Sequence, residues 1–121
     1  MIEEQELSSL PVPAQKIPEA PKYGQATLSE ILPSAAAALG VGGYQNALGF
    51  APTKRVALIM VDGLGWNQLK SHLGHAPFLR GLFEKGQKLG TGFPSTTATS
   101  LSSLATGLAP GEHGMVGYDV I

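Results

Sequence analysis

Two segments hold the residues best suited to chemistry. The first is Asp62-Gly63-Leu64-Gly65, directly after the apolar run 56–61. A carboxylate at the carboxyl end of a parallel strand stands where open α/β sheets bind ligands. The glycines after it leave room, and its hard oxygens suit a metal ion. The same position also suits a cap on the next helix, whose first turn has orphan N–H groups. The second segment is Phe93-Pro94-Ser95-Thr96-Thr97 and the residues that follow, where seven of the nine residues 95–103 carry hydroxyls. Hydroxylic residues compete with helical backbone bonding and favour helix starts. A hydroxyl there lies beside backbone N–H groups that bind phosphate oxygens. A threonine at this point is therefore a candidate nucleophile toward a phosphoryl group. Such a hydroxyl needs a base or a metal to attack at neutral pH. No histidine is near in sequence, so a metal is the indicated activator. The competing reading is an N-cap with small-residue packing.

The histidines offer less. His72 and His75 have the i, i+3 spacing of a shared helix face, but Gly74 between them suits a helix end better than a ligand pair. His113, in Gly111-Glu112-His113-Gly114, suits a turn-bracing hydrogen bond more than a metal. Gly63 and Gly65 lack the third glycine of a dinucleotide fingerprint, since Gln68 stands in its place. No phosphate-binding P-loop or nucleophile elbow occurs. With no cysteine, thiolate chemistry and disulfides are excluded.

The elements that must position these residues follow an α/β order. Thr27 and Glu30 fit a capping box, and a short helix with a break near Pro33 is expected to run to Leu39, stopped by Gly40. Six apolar residues, 56–61, read as a parallel strand covered on both faces. Residues 66–73 read as the helix after the Asp62-Gly63 turn, with the lone Trp66 used for packing. Pro77 opens another helix that Gly86 ends, carrying Phe78, Leu79, Leu82 and Phe83. Residues 87–93 form a weaker strand candidate. Residues 97–106 are expected to be helical, with Leu101, Leu104, Ala105 and Leu108 as one buried stripe and Gly107 as the stop. A final strand is expected to begin at Met115.

At 121 residues the chain holds one domain at most. Residues 1–24 read as an extended arm, with four prolines and no apolar period, and residues 25–121 as the folded domain. The acidic arm reads as solvated. Net charge is −1 with no basic patch, which argues against nucleic-acid binding. The N-terminus lacks the apolar core of a signal peptide, and no apolar run approaches the ~20 residues of a membrane span. A cytoplasmic protein is the expectation.

Taken together, three segments resemble the alkaline phosphatase superfamily, in its type I phosphodiesterase/nucleotide pyrophosphatase branch. They are residues 56–65, then Phe93-Pro94-Ser95-Thr96-Thr97, then Thr106-Gly107-Leu108-Ala109-Pro110 leading to His113-Gly114. The resemblance implies an α/β/α sandwich around a mainly parallel sheet. It implies two zinc ions, with Asp62 as a zinc ligand and Thr97 as both nucleophile and ligand of the same zinc. His113 matches a position that is not a ligand. Many nucleotide pyrophosphatases carry a phosphoryl-binding Asn where this chain has Tyr118, which makes Tyr118 a candidate substrate-binding residue. The family's remaining zinc ligands, an Asp-x-x-x-His, an Asp-His pair and a final His, do not follow His113.

The expectation is an N-terminal portion of an enzyme that hydrolyses phosphodiester or nucleotide pyrophosphate bonds, with little catalysis by itself and a possible C-terminal complementing polypeptide. The alternatives are an inactive remnant or phosphate- or nucleotide-binding interaction module, and a phosphomonoesterase or mutase-like member of the superfamily.

Overall fold

The computed structural model describes residues 19–120. The element order is a 3₁₀ turn (Leu28–Glu30), α1 (Ile31–Ala38), α2 (Trp66–Ser71), a second 3₁₀ turn (Leu73–His75), α3 (Pro77–Phe83), α4 (Thr97–Thr106), α5 (Pro110–His113) and the strands β1 (Met115–Val116) and β2 (Asp119–Val120). Most of the expected arm lies outside the described residues. At its end, the Lys22 carbonyl accepts from the N–H groups of Gln25 and Ala26, closing a turn.

The capping box of Thr27 and Glu30 organises the first helix. The Glu30 carboxylate is buried and accepts four hydrogen bonds. These come from the Gly24 N–H (2.8 Å), the Thr27 N–H (2.6 Å), the Thr27 hydroxyl (2.7 Å) and the Ser29 hydroxyl (2.9 Å). The expected break at Pro33 does not occur. Pro33 falls in the first turn of α1, where its missing N–H costs little. Gly40, at φ +83°, follows the helix in the left-handed region as expected.

The core is made mostly of small and polar side chains. Ala35, Ala38, Leu48 and Leu104 are buried, together with Thr27, Ser29, Ser34, Thr99 and Ser103. Ser34, fully buried, accepts from the Leu48 N–H at 3.1 Å and so ties the long loop after α1 to the helix. Small side chains let backbones approach closely. A β-carbon on Gly107, which ends α4 at φ +72°, would lie 2.8 Å from Pro33 Cγ.

The sheet differs from expectation. Among the described residues the only sheet is the antiparallel pair β1–β2, with Met115 opposite Val120 and Val116 opposite Asp119. A single parallel bridge joins Thr27 to Gly90, all that forms of the 87–93 strand. Residues 56–61 form no strand. None of their backbone groups pairs with another backbone group, and Ile59 and Val61 are 84% and 60% exposed. A strand exists through its partners, and no backbone among the described residues pairs with this run. The mainly parallel sheet is therefore not present in the described structure.

The helices fare better than their faces. α4 spans the expected residues, but Leu104 alone of its expected stripe is buried, while Leu101 and Leu108 are each 40% exposed. The face turned inward is Thr99, Ser103 and Leu104, which meets the first 3₁₀ turn, α1, α5 and β1. In α3, Phe83 stacks on Trp66 with ring centroids 4.0 Å apart, whereas Phe78 is 78% exposed.

Burial alone pushes the Glu30 carboxyl up, but the hydrogen bonds from Thr27, Gly24 and Ser29 outweigh it and hold it below the ordinary carboxylate range. A lowered folded value contributes stability above the ordinary glutamate range, and that stability is lost as pH falls through the lowered value. Urea unfolding from pH 7 down to pH 3 is expected to show this acid-side loss. Glu30→Gln is expected to flatten that limb and to lower stability at pH 7.

Candidate active site

The site is built from the two ends of the segment that runs from Asp62 to Thr97. Asp62 opens a turn with Gly63 at φ +73°, after the apolar run and before α2. Thr97 is the first residue of α4. Its neighbour Thr96 is the N-cap, extended at φ −115° and ψ 153°, and its hydroxyl oxygen accepts from the Thr99 N–H at 3.3 Å. That bond satisfies one orphan donor of the helix start and fixes the first turn. The two readings of the hydroxyl cluster are thus divided between neighbours: Thr96 caps, and Thr97 is left free to point outward.

Thr97 points to Asp62. Its hydroxyl donates to Asp62 Oδ2 at 3.4 Å, across 35 positions of sequence, and the pair is exposed. Both residues line an open cavity of 560 Å³, with Gly63, Ser95, Thr96 and Leu101 around them.

Tyr118 lies in the turn between β1 and β2 and is 82% exposed. Its predecessor Gly117, at φ +76°, takes the first central position of this two-residue turn, a place that favours glycine. The Gly117 carbonyl accepts from the hydroxyls of Thr96 (3.3 Å) and Thr99 (3.2 Å), and its N–H donates to Thr99 Oγ1 at 2.8 Å. The start of α4 and the hairpin turn are thereby joined directly.

His113 braces the turn as its sequence position suggests. Its Nδ1 accepts from the Met115 N–H at 3.1 Å, so Nε2 carries the proton and donates to Ser103 Oγ at 2.9 Å. His72 ends α2, with Nδ1 2.8 Å from the Gln68 carbonyl. Among the described residues no group of three histidine, cysteine, aspartate or glutamate side chains stands together as a metal cluster. No helix among them is long and apolar enough to cross a membrane.

The Thr99–Gly117 contact was not read from sequence. The hydroxyl run was visible, but not which hydroxyls face inward. The available signal was the Gly117-Tyr118 pair between Val116 and Asp119, a glycine-first hairpin turn.

The family model for type I phosphodiesterases and nucleotide pyrophosphatases matches residues 56–121. That span is more than half of the chain and contains Asp62, Thr97, His113 and Tyr118. The chain belongs to this family, one of metal-dependent hydrolases acting on phosphodiester and pyrophosphate bonds. No curated protein and no solved structure matches it.

Thr96→Ala is expected to cost about 1 kcal/mol of stability, the usual value of an N-cap hydroxyl. Thr96→Ser is expected to retain most of it. Urea midpoints of the two variants against wild type check both.

Proposed function

We propose that the chain acts on phosphodiester or nucleotide pyrophosphate bonds through Thr97 as nucleophile, with Asp62 and Thr97 sharing one zinc ion. The observation that carries this reading is the 3.4 Å approach of the Thr97 hydroxyl to Asp62 Oδ2, inside the span the family model matches. Two oxygens converge at the edge of an open cavity, as two ligands of one ion would. They fit part of a catalytic zinc site, which takes about three protein ligands and a water. Among the described residues no third donor joins them. A complementing polypeptide that pairs with the bare run 56–61 could bring the other donors, and the exposed Ile59 and Val61 support that reading.

Zinc held there would supply Lewis-acid chemistry, lowering the pKa of the hydroxyl and neutralising phosphoryl charge. The residues of the chain do the rest. Asp62 Oδ2 accepts the hydroxyl hydrogen and aims Oγ1 outward. Thr97 Oγ1 gives up its proton to Asp62 Oδ2 and bonds to phosphorus as the opposite P–O bond breaks, and the leaving oxygen takes a proton from solvent as the alcohol or nucleotide departs. Water then releases the phosphoryl group from Thr97. The first turn of α4 directs its helix N-terminus at the non-bridging oxygens. Tyr118 offers a phenol as a further donor to the substrate.

The absence of a three-residue metal cluster among the described residues favours a second reading, a binding module without turnover. Equilibrium dialysis with zinc and hydrolysis of bis(4-nitrophenyl) phosphate separate the two. The hydrolase reading expects zinc binding weakened tenfold or more by Asp62→Asn, and turnover abolished by Thr97→Ala. Zinc-independent phosphate binding without turnover would mark the module. Turnover unaffected by Thr97→Ala would overturn the role of Thr97.

A further inference from the structure

Thr99 is 1% exposed, and its hydroxyl bonds both backbone groups of one residue, Gly117. It accepts from the Gly117 N–H at 2.8 Å and donates to the Gly117 carbonyl at 3.2 Å. Thr96, one residue before Thr97, shares its one hydroxyl hydrogen between Thr99 Oγ1 at 2.9 Å and the same carbonyl at 3.3 Å. Tyr118 is the next residue after Gly117. Its side chain has no burial to hold it in place, being 82% exposed, so its position depends on the backbone of the turn. A two-residue hairpin with only two pairs of strand residues is weak by itself. Its attachment to α4 must come from elsewhere, and the Thr99 hydroxyl supplies it. His113 and Ser103 make a second tie one turn further along α4.

We propose that Thr99 is a positioning residue for substrate binding. It clamps Gly117 to the start of α4, beside Thr96, and so holds the next residue, Tyr118, for contact of its phenol with the phosphodiester. The inference rests on the hydrolase reading and deepens it. Thr99 itself touches no substrate, because it is sealed beneath the turn. The role of the clamp is affinity: loosening it lets Tyr118 drift while Thr97 and Asp62 stay in place.

The test uses the full chain with zinc and bis(4-nitrophenyl) phosphate as the probe. Thr99→Val keeps the shape of the side chain and removes the hydroxyl; Thr99→Ser restores it. Amide exchange of Gly117, followed by NMR, reports the clamp directly, and a titration with the diester reports affinity. The expected result is at least tenfold faster Gly117 exchange in Thr99→Val with at least fivefold weaker diester binding, both recovered in Thr99→Ser. Thr97→Ala is expected to leave Gly117 exchange unchanged. Unchanged exchange in Thr99→Val would show that there is no clamp. Faster exchange with unchanged affinity would show that the clamp positions nothing. Wild type that binds no diester, with Gly117 still protected, would instead overturn the hydrolase reading and the positioning role with it. Tyr118→Phe guards against a valine variant that does not fold: it must weaken the diester while leaving Gly117 exchange as in wild type, and unaltered affinity overturns the proposal.

Discussion

The structure depends on one buried carboxylate. Glu30 accepts four hydrogen bonds from Gly24, Thr27 and Ser29, and no other charged side chain among the described residues is buried. Hydrogen bonds to a charged group contribute roughly 1.5–3 kcal/mol each, net of the bonds to water they replace. Burying a leucine contributes about the same, and among the described residues the only buried leucines are Leu48 and Leu104. Polar satisfaction therefore weighs as much as apolar burial in this core. Glu30 fixes Thr27, whose neighbour Leu28 donates to the Gly90 carbonyl at 3.0 Å. The turn that Glu30 caps is also the platform against which α4, the helix bearing Thr97, packs.

A core of hydroxyls and alanines has a consequence for the site. Small side chains bring α4 close to the first helix and the hairpin, and each hydroxyl facing inward finds a partner. Among the described residues no buried side-chain nitrogen or oxygen lacks one. Thr96, Thr99 and Ser103 are all occupied in this way. Thr97 differs: it turns outward, and its partner is the exposed Asp62. The packing of α4 thus separates the hydroxyls that hold the fold from the one left available for chemistry.

Much of this was legible in the sequence. Thr27 and Glu30 have the spacing of a capping box, and Gly107 sits where α4 must stop, so local hydrogen bonding and chirality dictate those features. The residues alone left the choice among the threonines open; the resemblance of the two segments to the family implied the pairing of Asp62 with Thr97, and the two side chains lie 3.4 Å apart. The sheet was not legible in the same way. The run 56–61 has strand composition, but pairing is a long-range property and no backbone among the described residues pairs with it. The inward face of α4 was missed because apolar periodicity selects Leu101 and Leu108, while the actual neighbours are polar turns that Thr99 and Ser103 satisfy. His113 was read correctly because a Pro-Gly turn leaves backbone groups that an imidazole can brace.

The central claim is that Thr97, aimed by Asp62, is the residue that attacks phosphorus. The most direct measurement is covalent capture. The chain is mixed with zinc and a radiolabelled phosphodiester, quenched in acid, digested, and sequenced by mass spectrometry. The account expects the phosphoryl label on Thr97, absent in Thr97→Ala and reduced in Asp62→Asn. Label on Ser95 or Thr96, or hydrolysis that proceeds with Thr97 never labelled, would contradict it.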